Sequence, residues 1–304
     1  MWERVRRRAA ESLDRGAGAP AEAGWPWPVQ LTGRTPTGIE VLLRPLTVAD
    51  GPAFQSVRRA NAAWLEEWDA TSPDPDAPSR TFEELVQQYD RDAAAGRALP
   101  FAVEVEGRFV GQLSVGSIVL GSFRSCYIGY WVSRAVAGQM VIPTALAMAG
   151  DHVLGTLGLH RIEVNIRPEN TASLAVVRKL GFRREGLRPH YLHIAGAWRD
   201  HLSFALTTED LAGESLLDRL ARITAGEAGP GSETLQAQSS QQSLARHTER
   251  GPAPDGDAHL PSSRAVAVEP DLPGPPRCLG CLFRAVLGPP TRPRRHRPLR
   301  RAVQ

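Results

Sequence analysis

Aromatic side chains, the bulkiest core formers, all but stop at residue 210: of 7 Trp, 4 Tyr and 8 Phe, only Phe283 lies beyond it. The last 94 residues hold 12 of the 25 prolines and little with which to build a core. The stretch 226–276 is rich in Gly, Pro, Ser and Gln and has no hydrophobic period. Burial there cannot offset the roughly 1–2 kcal/mol per residue of backbone ordering. Residues 226–304 are therefore expected to form a disordered Pro/Arg-rich tail, reached through a short helical extension at 211–225. Within 277–304 there are eight arginines and no acidic residue, and this tail is the one place where contact with nucleic acid is expected. At the other end, residues 1–33 mix arginines with Trp25-Pro-Trp27-Pro and read as a lead-in.

The folded domain is thereby confined to 34–210. Apolar periods and turn residues place strands at 39–44, 101–106, 109–120, 126–132, 161–167, 182–189 and 199–206. Helices fall at 47–62, 82–94, 138–157 and 171–180, with Thr47 capping the first. The class is α/β (α+β), a mixed twisted sheet with helices on both faces. A net charge of +3 gives no bulk electrostatic case for a nucleic-acid binder. Cys126, Cys278 and Cys281 lack a disulfide framework, and Cys278-Leu-Gly-Cys281 offers only half of a zinc site, so no metal is expected. No apolar run reaches the roughly 20 residues that cross a bilayer, and MWERVRRRAA lacks the apolar stretch of a secretion signal. A cytoplasmic protein with no membrane partner is expected.

Two segments carry chemistry. From Trp131 to Met140 a strand stops and a short loop leads to a helix start, where unpaired N–H groups can cradle a pyrophosphate. Further on, RIEVNI is followed by Arg167-Pro-Glu-Asn170-Thr-Ala-Ser173 and Lys179-Leu-Gly181-Phe182. Asn170 stands at a helix start with Ser173 one turn in, Leu174, Val177 and Leu180 turn to the core, and Gly181 ends the helix. Together these segments resemble the GNAT-type N-acetyltransferases, in particular the RimJ/RimL branch that acetylates ribosomal-protein alanines, over about 39–210.

The resemblance implies a GNAT fold with a splay between two central parallel strands, and acetyl-CoA as donor. It assigns the donor to the strand end at Trp131 and Val132, the loop residues Gly138, Gln139, Met140 and Val141, and the helix bearing Asn170 and Ser173. The family's loop pattern, Q/R-x-x-G-x-G/A, is met by Ala135-Val-Ala-Gly138-Gln139-Met140. A methionine in place of the final small residue would crowd the phosphates if it pointed at them, although backbone donors do not depend on the side chain.

Acetyl transfer needs a neutral amine, donors for the oxyanion and a proton for the departing thiolate. The N–H near Val132 is the candidate oxyanion donor, and Ser173 the candidate beside the sulfur. A first-turn serine bonded to its own helix is the plainer reading of the latter. His190, between the last two strands, takes the place where the family brings a glutamate to the amine and is the candidate base. Tyr191 is its fallback, as acid or positioning group. His152, His160 and His201 are expected to be structural or exposed, and Glu163 and Asp200 to serve ion pairs or strand pairing. Trp64 and Trp68, four apart on one helical face, either flank an acceptor groove or fill the core.

A peptide α-amine of pKa about 7.8 costs roughly 1 kcal/mol to neutralise at pH 7, a lysine of about 10.4 roughly 4.6 kcal/mol. The N-terminal amine of a protein is accordingly the expected acceptor, and the resemblance implies a ribosomal one. The alternatives are a small-molecule amine acetyltransferase and a non-catalytic acyl-CoA-binding or ribosome-associated protein.

Overall fold

A computed structural model describes residues 26–226 except Pro75, Ala77 and Ser79. The expected tail, its arginines, the Cys278–Cys281 pair and residues 1–25 lie outside the described residues.

Alternation sets the first strands. Leu31–Arg34 forms β1, and Glu40–Pro45 forms β2, whose Val41 and Leu43 are fully buried. β1 lies inside the expected lead-in, which Trp27 anchors by packing edge-on against Phe101 at 5.3 Å. Thr47 and Asp50 make a reciprocal cap around a single turn, and α1 follows over Gly51–Ala60 with Pro52 in its first turn. Asn61 ends α1, so α2 is the brief Ala62–Leu65, tightening to a 3-10 turn at Glu66–Trp68. Thr81 and Glu84 cap α3, Phe82–Ala94.

The sheet continues through β3 (Leu99–Val105), β4 (Arg108–Val119) and β5 (Ser125–Val132). Helix α4 spans Val141–Asp151 and runs into a π turn at His152–Thr156. Then come β6 (Arg161–Ile166), α5 (Thr171–Lys179), β7 (Arg183–Ile194), β8 (Ala197–Thr207), α6 (Thr208–Leu211) and α7 (Leu216–Thr224). The eight strands are ordered β1-β2-β3-β4-β5-β6-β8-β7, and only β5 and β6 run parallel.

Each face of the sheet has its own core. Ala145, Leu146, Leu174, Val177, Leu216 and Leu220 from α4, α5 and α7 share one cluster with the strands. Phe54, Leu65, Leu85 and Tyr89 build the other, together with Phe109 and Trp131. Helix α7 is held to α4 by Asp151, whose two oxygens accept the N–H groups of Leu216 (2.6 Å) and Leu217 (3.1 Å). Burying Leu216 and Leu220 is worth about 1.5–3 kcal/mol each.

One strand limit differs from expectation in a way that matters for the site. Pro189 reads as a strand end, yet β7 continues to Ile194. It is the edge strand, where proline is tolerated, and register shifts between Arg184 and Gly186 and between Arg188 and Leu192 absorb the irregularity. His190 and Tyr191 therefore lie within a strand at a bulge instead of in a loop, with His190 at φ 49°.

Candidate active site

The central strands fork. β5 and β6 pair only at Ser125–Arg161, Cys126–Ile162 and Tyr127–Glu163. Beyond Tyr127, β5 stays with β4 as far as Val132, and β6 stays with β8 as far as Ile166. The gap opens a cleft of about 180 Å³, with Ile128, Gly129 and Tyr130 on one wall and Val164 and Asn165 on the other.

The end of β5 is locked on its far side. Ser133 donates its N–H to the Val110 carbonyl at 2.7 Å, and backbone groups alternate along a strand, so the N–H and C=O of Val132 face the fork. The carbonyl accepts the Trp64 indole N–H at 3.1 Å, which leaves the N–H as the donor of that residue. Close approach of β4 requires glycine at 111, since a Cβ there would stand 2.3 Å from the Trp131 oxygen. Trp131 borders the cleft, while its ring is core, edge-on to Phe54 at 5.6 Å and beneath the Arg58 guanidinium at 5.0 Å.

Asn61, which the sequence did not single out, pins the loop after β5. Its Oδ1 accepts the Arg134 N–H at 2.8 Å, and its Nδ2 donates to Ser133 Oγ at 3.1 Å. Gly138 (φ 81°) and Met140 (φ 64°) then turn the chain left-handed on either side of Gln139 ahead of α4, and the Gln139 N–H donates to the Val136 carbonyl at 3.4 Å. Gln139 folds back to donate to the Ala135 carbonyl at 3.0 Å. The Met140 side chain is partly buried and packs against the core cluster that α4 shares with the strands. Val141, the first residue of α4, buries its side chain and presents only backbone.

Asn170 and Ser173 both line the cleft. Asn170 Oδ1 caps α5 by accepting the Ser173 N–H at 3.0 Å, so only its amide NH₂ is left for a ligand. The Tyr130 hydroxyl, shut off from solvent, approaches Ser173 without completing a hydrogen bond. Burial pushes its pKa above the ordinary tyrosine value, which keeps it protonated.

The two tryptophans part company because the helix bearing Trp64 stops at Leu65 and Trp68 falls in the 3-10 turn that follows. Trp64 packs against the core, and Trp68 lines the cleft with the Arg167 guanidinium 5.2 Å over its ring. Asp69, on the same wall, pairs with the buried Arg58 at 2.5 Å.

The candidate bases are distributed differently from the sequence reading. His190 is exposed and does not line the cleft, and its N–H donates to Asp200 Oδ1 at 2.8 Å. Tyr191 is half-buried and off the wall, its hydroxyl accepting from Arg188 at 3.2 Å. His201, read as structural or exposed, instead lines the cleft and is 4% exposed. The period of two along β8, which puts it on the face of Ser203 and Ala205, was the available signal. Glu163 holds Arg161 at 3.0 Å and Arg188 at 2.9 Å. Among the described residues no group of three or more His, Cys, Asp or Glu is placed to hold a metal, and no helix is long and apolar enough to cross a membrane.

A forked sheet with one parallel pair, a left-handed loop and a following helix defines an acetyltransferase of the GNAT class. The Acetyltransferase (GNAT) domain model matches residues 40–183. The solved structure of Mycobacterium smegmatis RimJ in complex with CoA-disulfide is similar, with a TM-score of 0.59 at 38% identity, covering 66% of this chain and 96% of that one. The chain belongs to the GNAT acetyltransferase family. Among curated relatives, the [Ribosomal protein uS5]-alanine N-acetyltransferase of Escherichia coli (strain K12) is 38% identical over 105 residues, 34% of this chain and 54% of that protein. N-acetyltransferase p20 of Bacillus licheniformis is 34% identical over 132 residues, 43% of this chain and 74% of that protein.

Proposed function

We propose that this protein transfers the acetyl group of acetyl-CoA to the N-terminal α-amine of a protein, with a ribosomal protein as the acceptor and the cytoplasm as its place of work. The observation that carries the reading is the fork itself. It exposes the unpaired edge of β5, with the Val132 N–H turned toward it, beside a cleft that Trp68, Asp69 and His201 of β8 also line. The CoA-bound RimJ relative and the uS5-alanine acetyltransferase support donor and acceptor respectively.

In this reading the pyrophosphate lies on the backbone amides of Gly138, Gln139, Met140 and Val141, and the pantetheine runs along β5 past Trp131 and Val132. Asn170 lends its amide NH₂. The Val132 N–H faces the carbonyl oxygen of the thioester, where negative charge develops as the amine adds, and a preorganised donor there is worth most at that moment. Ser173, with the protonated Tyr130 hydroxyl behind it, stands where the thiolate leaves. On the acceptor side, Trp68 supplies a flat apolar surface for the first residue of a peptide.

Isothermal titration with acetyl-CoA, followed by acetyl transfer to Ala- and Ser-starting peptides beside a panel of small amines, tests the proposal. Saturable donor binding and turnover on the peptides are expected. Turnover on small amines alone would overturn the protein acceptor, and donor binding without turnover on any amine would make the protein a non-catalytic acyl-CoA binder.

A further inference from the structure

The acceptor wall carries a titratable ring to which no role above is given. His201 sits on β8 opposite Arg188 of β7. The pleat puts it on the same face as Ser203, whose hydroxyl donates to Asn165 Oδ1 of β6 at 2.5 Å, so this face looks across the open side of the fork. His201 Nδ1 stands 3.0 Å from the Arg199 carbonyl oxygen. A carbonyl only accepts, so Nδ1 carries the proton and Nε2 keeps its lone pair. Nε2 has no hydrogen-bond partner, yet it is not among the polar atoms sealed from solvent, and the cleft is the space the ring borders. The Tyr191 ring meets the imidazole edge-on at 5.5 Å and 66°, which fixes its plane.

We propose that His201 is the general base of the acetyl transfer, accepting at Nε2 the proton that the attacking amine gives up. The proposal rests on the acetyl-transfer reading of the cleft. As the amine nitrogen bonds to the thioester carbonyl carbon, the carbonyl π pair moves to oxygen and the surplus proton on nitrogen passes to Nε2. The oxygen pair then returns, the carbon–sulfur bond breaks, and the thiolate takes the proton of the half-buried Ser173 hydroxyl, which solvent in the open cleft restores. The imidazolium gives its proton to water, and the ring is neutral for the next cycle.

The surroundings favour the neutral ring. Burial is the main influence and holds His201 below the ordinary histidine range. The Arg199 carbonyl works against it, Arg167 in the β6–α5 turn adds to it, and Glu169 and Asp200 oppose it. Asp69, which also lines the cleft, is already paired with Arg58. A weak base suffices, since nitrogen bound to the tetrahedral carbon is far more acidic than a free ammonium.

The test is steady-state transfer by the full chain from pH 5 to 9, for the wild type, His201→Gln and His190→Gln, with acetyl-CoA affinity measured in parallel and the His201 ring titrated by proton NMR in donor-free enzyme. His201→Gln is expected to lower kcat by roughly 10²–10⁴-fold, leave the acetyl-CoA Kd in place and abolish the acid limb of kcat/KM. In the wild type that limb is expected below pH 6.5, at the pKa of the His201 ring, and added imidazole should partly restore a His201→Gly variant. Wild-type kcat in His201→Gln, a ring pKa that differs from the limb, or a loss confined to His190→Gln would each overturn the proposal while leaving the acetyltransferase reading intact. A wild type that binds acetyl-CoA and acetylates no amine would overturn both. Should His201→Gln fail to fold, agreement or disagreement between the ring titration and the wild-type limb decides.

Discussion

The Trp64 indole donates its N–H to the main-chain carbonyl of Val132, 3.1 Å away and 68 residues along the chain. This bond ties the segment after α1 to the end of β5, at the residue whose N–H faces the fork. Trp64→Phe keeps an aromatic ring against Leu65 and its neighbours but removes the donor. The loss of one partly buried hydrogen bond is expected to cost about 1 kcal/mol of stability. A fall in kcat several times larger than that of a surface control is also expected, because the Val132 peptide loses its tether. Urea unfolding beside steady-state kinetics checks both, and an unchanged kcat would show that the peptide is held without Trp64.

Two glycines of the same region separate scaffold from cleft. A methyl group at Gly111 would stand 2.3 Å from the Trp131 oxygen and 2.9 Å from the Val132 Cα, both backbone, so β5 must shift. Gly111→Ala is expected to destabilise the fold by about 1–3 kcal/mol and to depress kcat. At Gly129, on the cleft wall, a methyl group meets nothing within 4 Å. Gly129→Ala is expected to fold with wild-type stability and to weaken acetyl-CoA binding, since the methyl projects into donor space. Thermal unfolding and calorimetry distinguish the pair; equal donor affinity in Gly129→Ala would place the pantetheine elsewhere.

Local chemistry explains what was legible in the sequence. The Thr47–Asp50 cap, the Asn170 cap and the alternation of RIEVNI are signals within a few residues, and each appears where its side chains direct. The strand end, loop and helix start from Trp131 to Val141 were legible for the same reason. The acceptor side was not, because it is assembled from contacts distant in sequence: Trp68 beneath Arg167, Asp69 on Arg58, His201 against Tyr191. His190 was singled out because it takes the place where the family brings a glutamate to the amine, and the bulge of an edge strand leaves it exposed. A one-residue difference in register decides which histidine of a hairpin faces a cleft, and the period-2 pattern of β8 is what puts His201 on that face.

Stability should be greatest between about pH 6.5 and 9. Burial holds His152 and His201 below the ordinary 6.5, so stability is lost as pH falls through that value, where the unfolded chain binds more protons. Lower still, the carboxylates add to the loss. Arg161 holds Glu185, and Arg222 holds Glu214, below the usual 4.5. Burial alone would raise Asp50, but bonds from Arg44 and Thr47 hold it below 3.8. Asp151, raised by burial, opposes the trend in that last range. On the alkaline side, burial raises Cys126 above its usual 9.0 and Tyr89 and Tyr130 above 10.0, so stability is lost as the unfolded chain ionises. Urea midpoints across pH 3–11 check the profile; a plateau extending down to pH 5 would contradict the histidine contribution.

Met140 tests the separation of backbone from side chain in the donor loop. Its φ of 64° is left-handed, a conformation that costs an L-residue roughly 1–2 kcal/mol and a glycine almost nothing. Its side chain meanwhile packs against the core beneath α4, and its carbonyl accepts both the N–H and the hydroxyl of Thr144, at 3.1 and 2.8 Å. Met140→Gly relieves the strain but gives up that packing and frees the unfolded chain, so a net change within about 1 kcal/mol is expected. Met140→Val, β-branched, suffers the full left-handed penalty and is expected to lose about 2 kcal/mol. If the pyrophosphate rests on the N–H groups between Gly138 and Val141, acetyl-CoA affinity follows the conformation of the loop and not the size of residue 140. Calorimetry should then give Met140→Gly the wild-type Kd and Met140→Val a weaker one. A Kd that tightens markedly in Met140→Gly would mean that the methionine obstructs the donor after all, as the loop pattern alone had suggested.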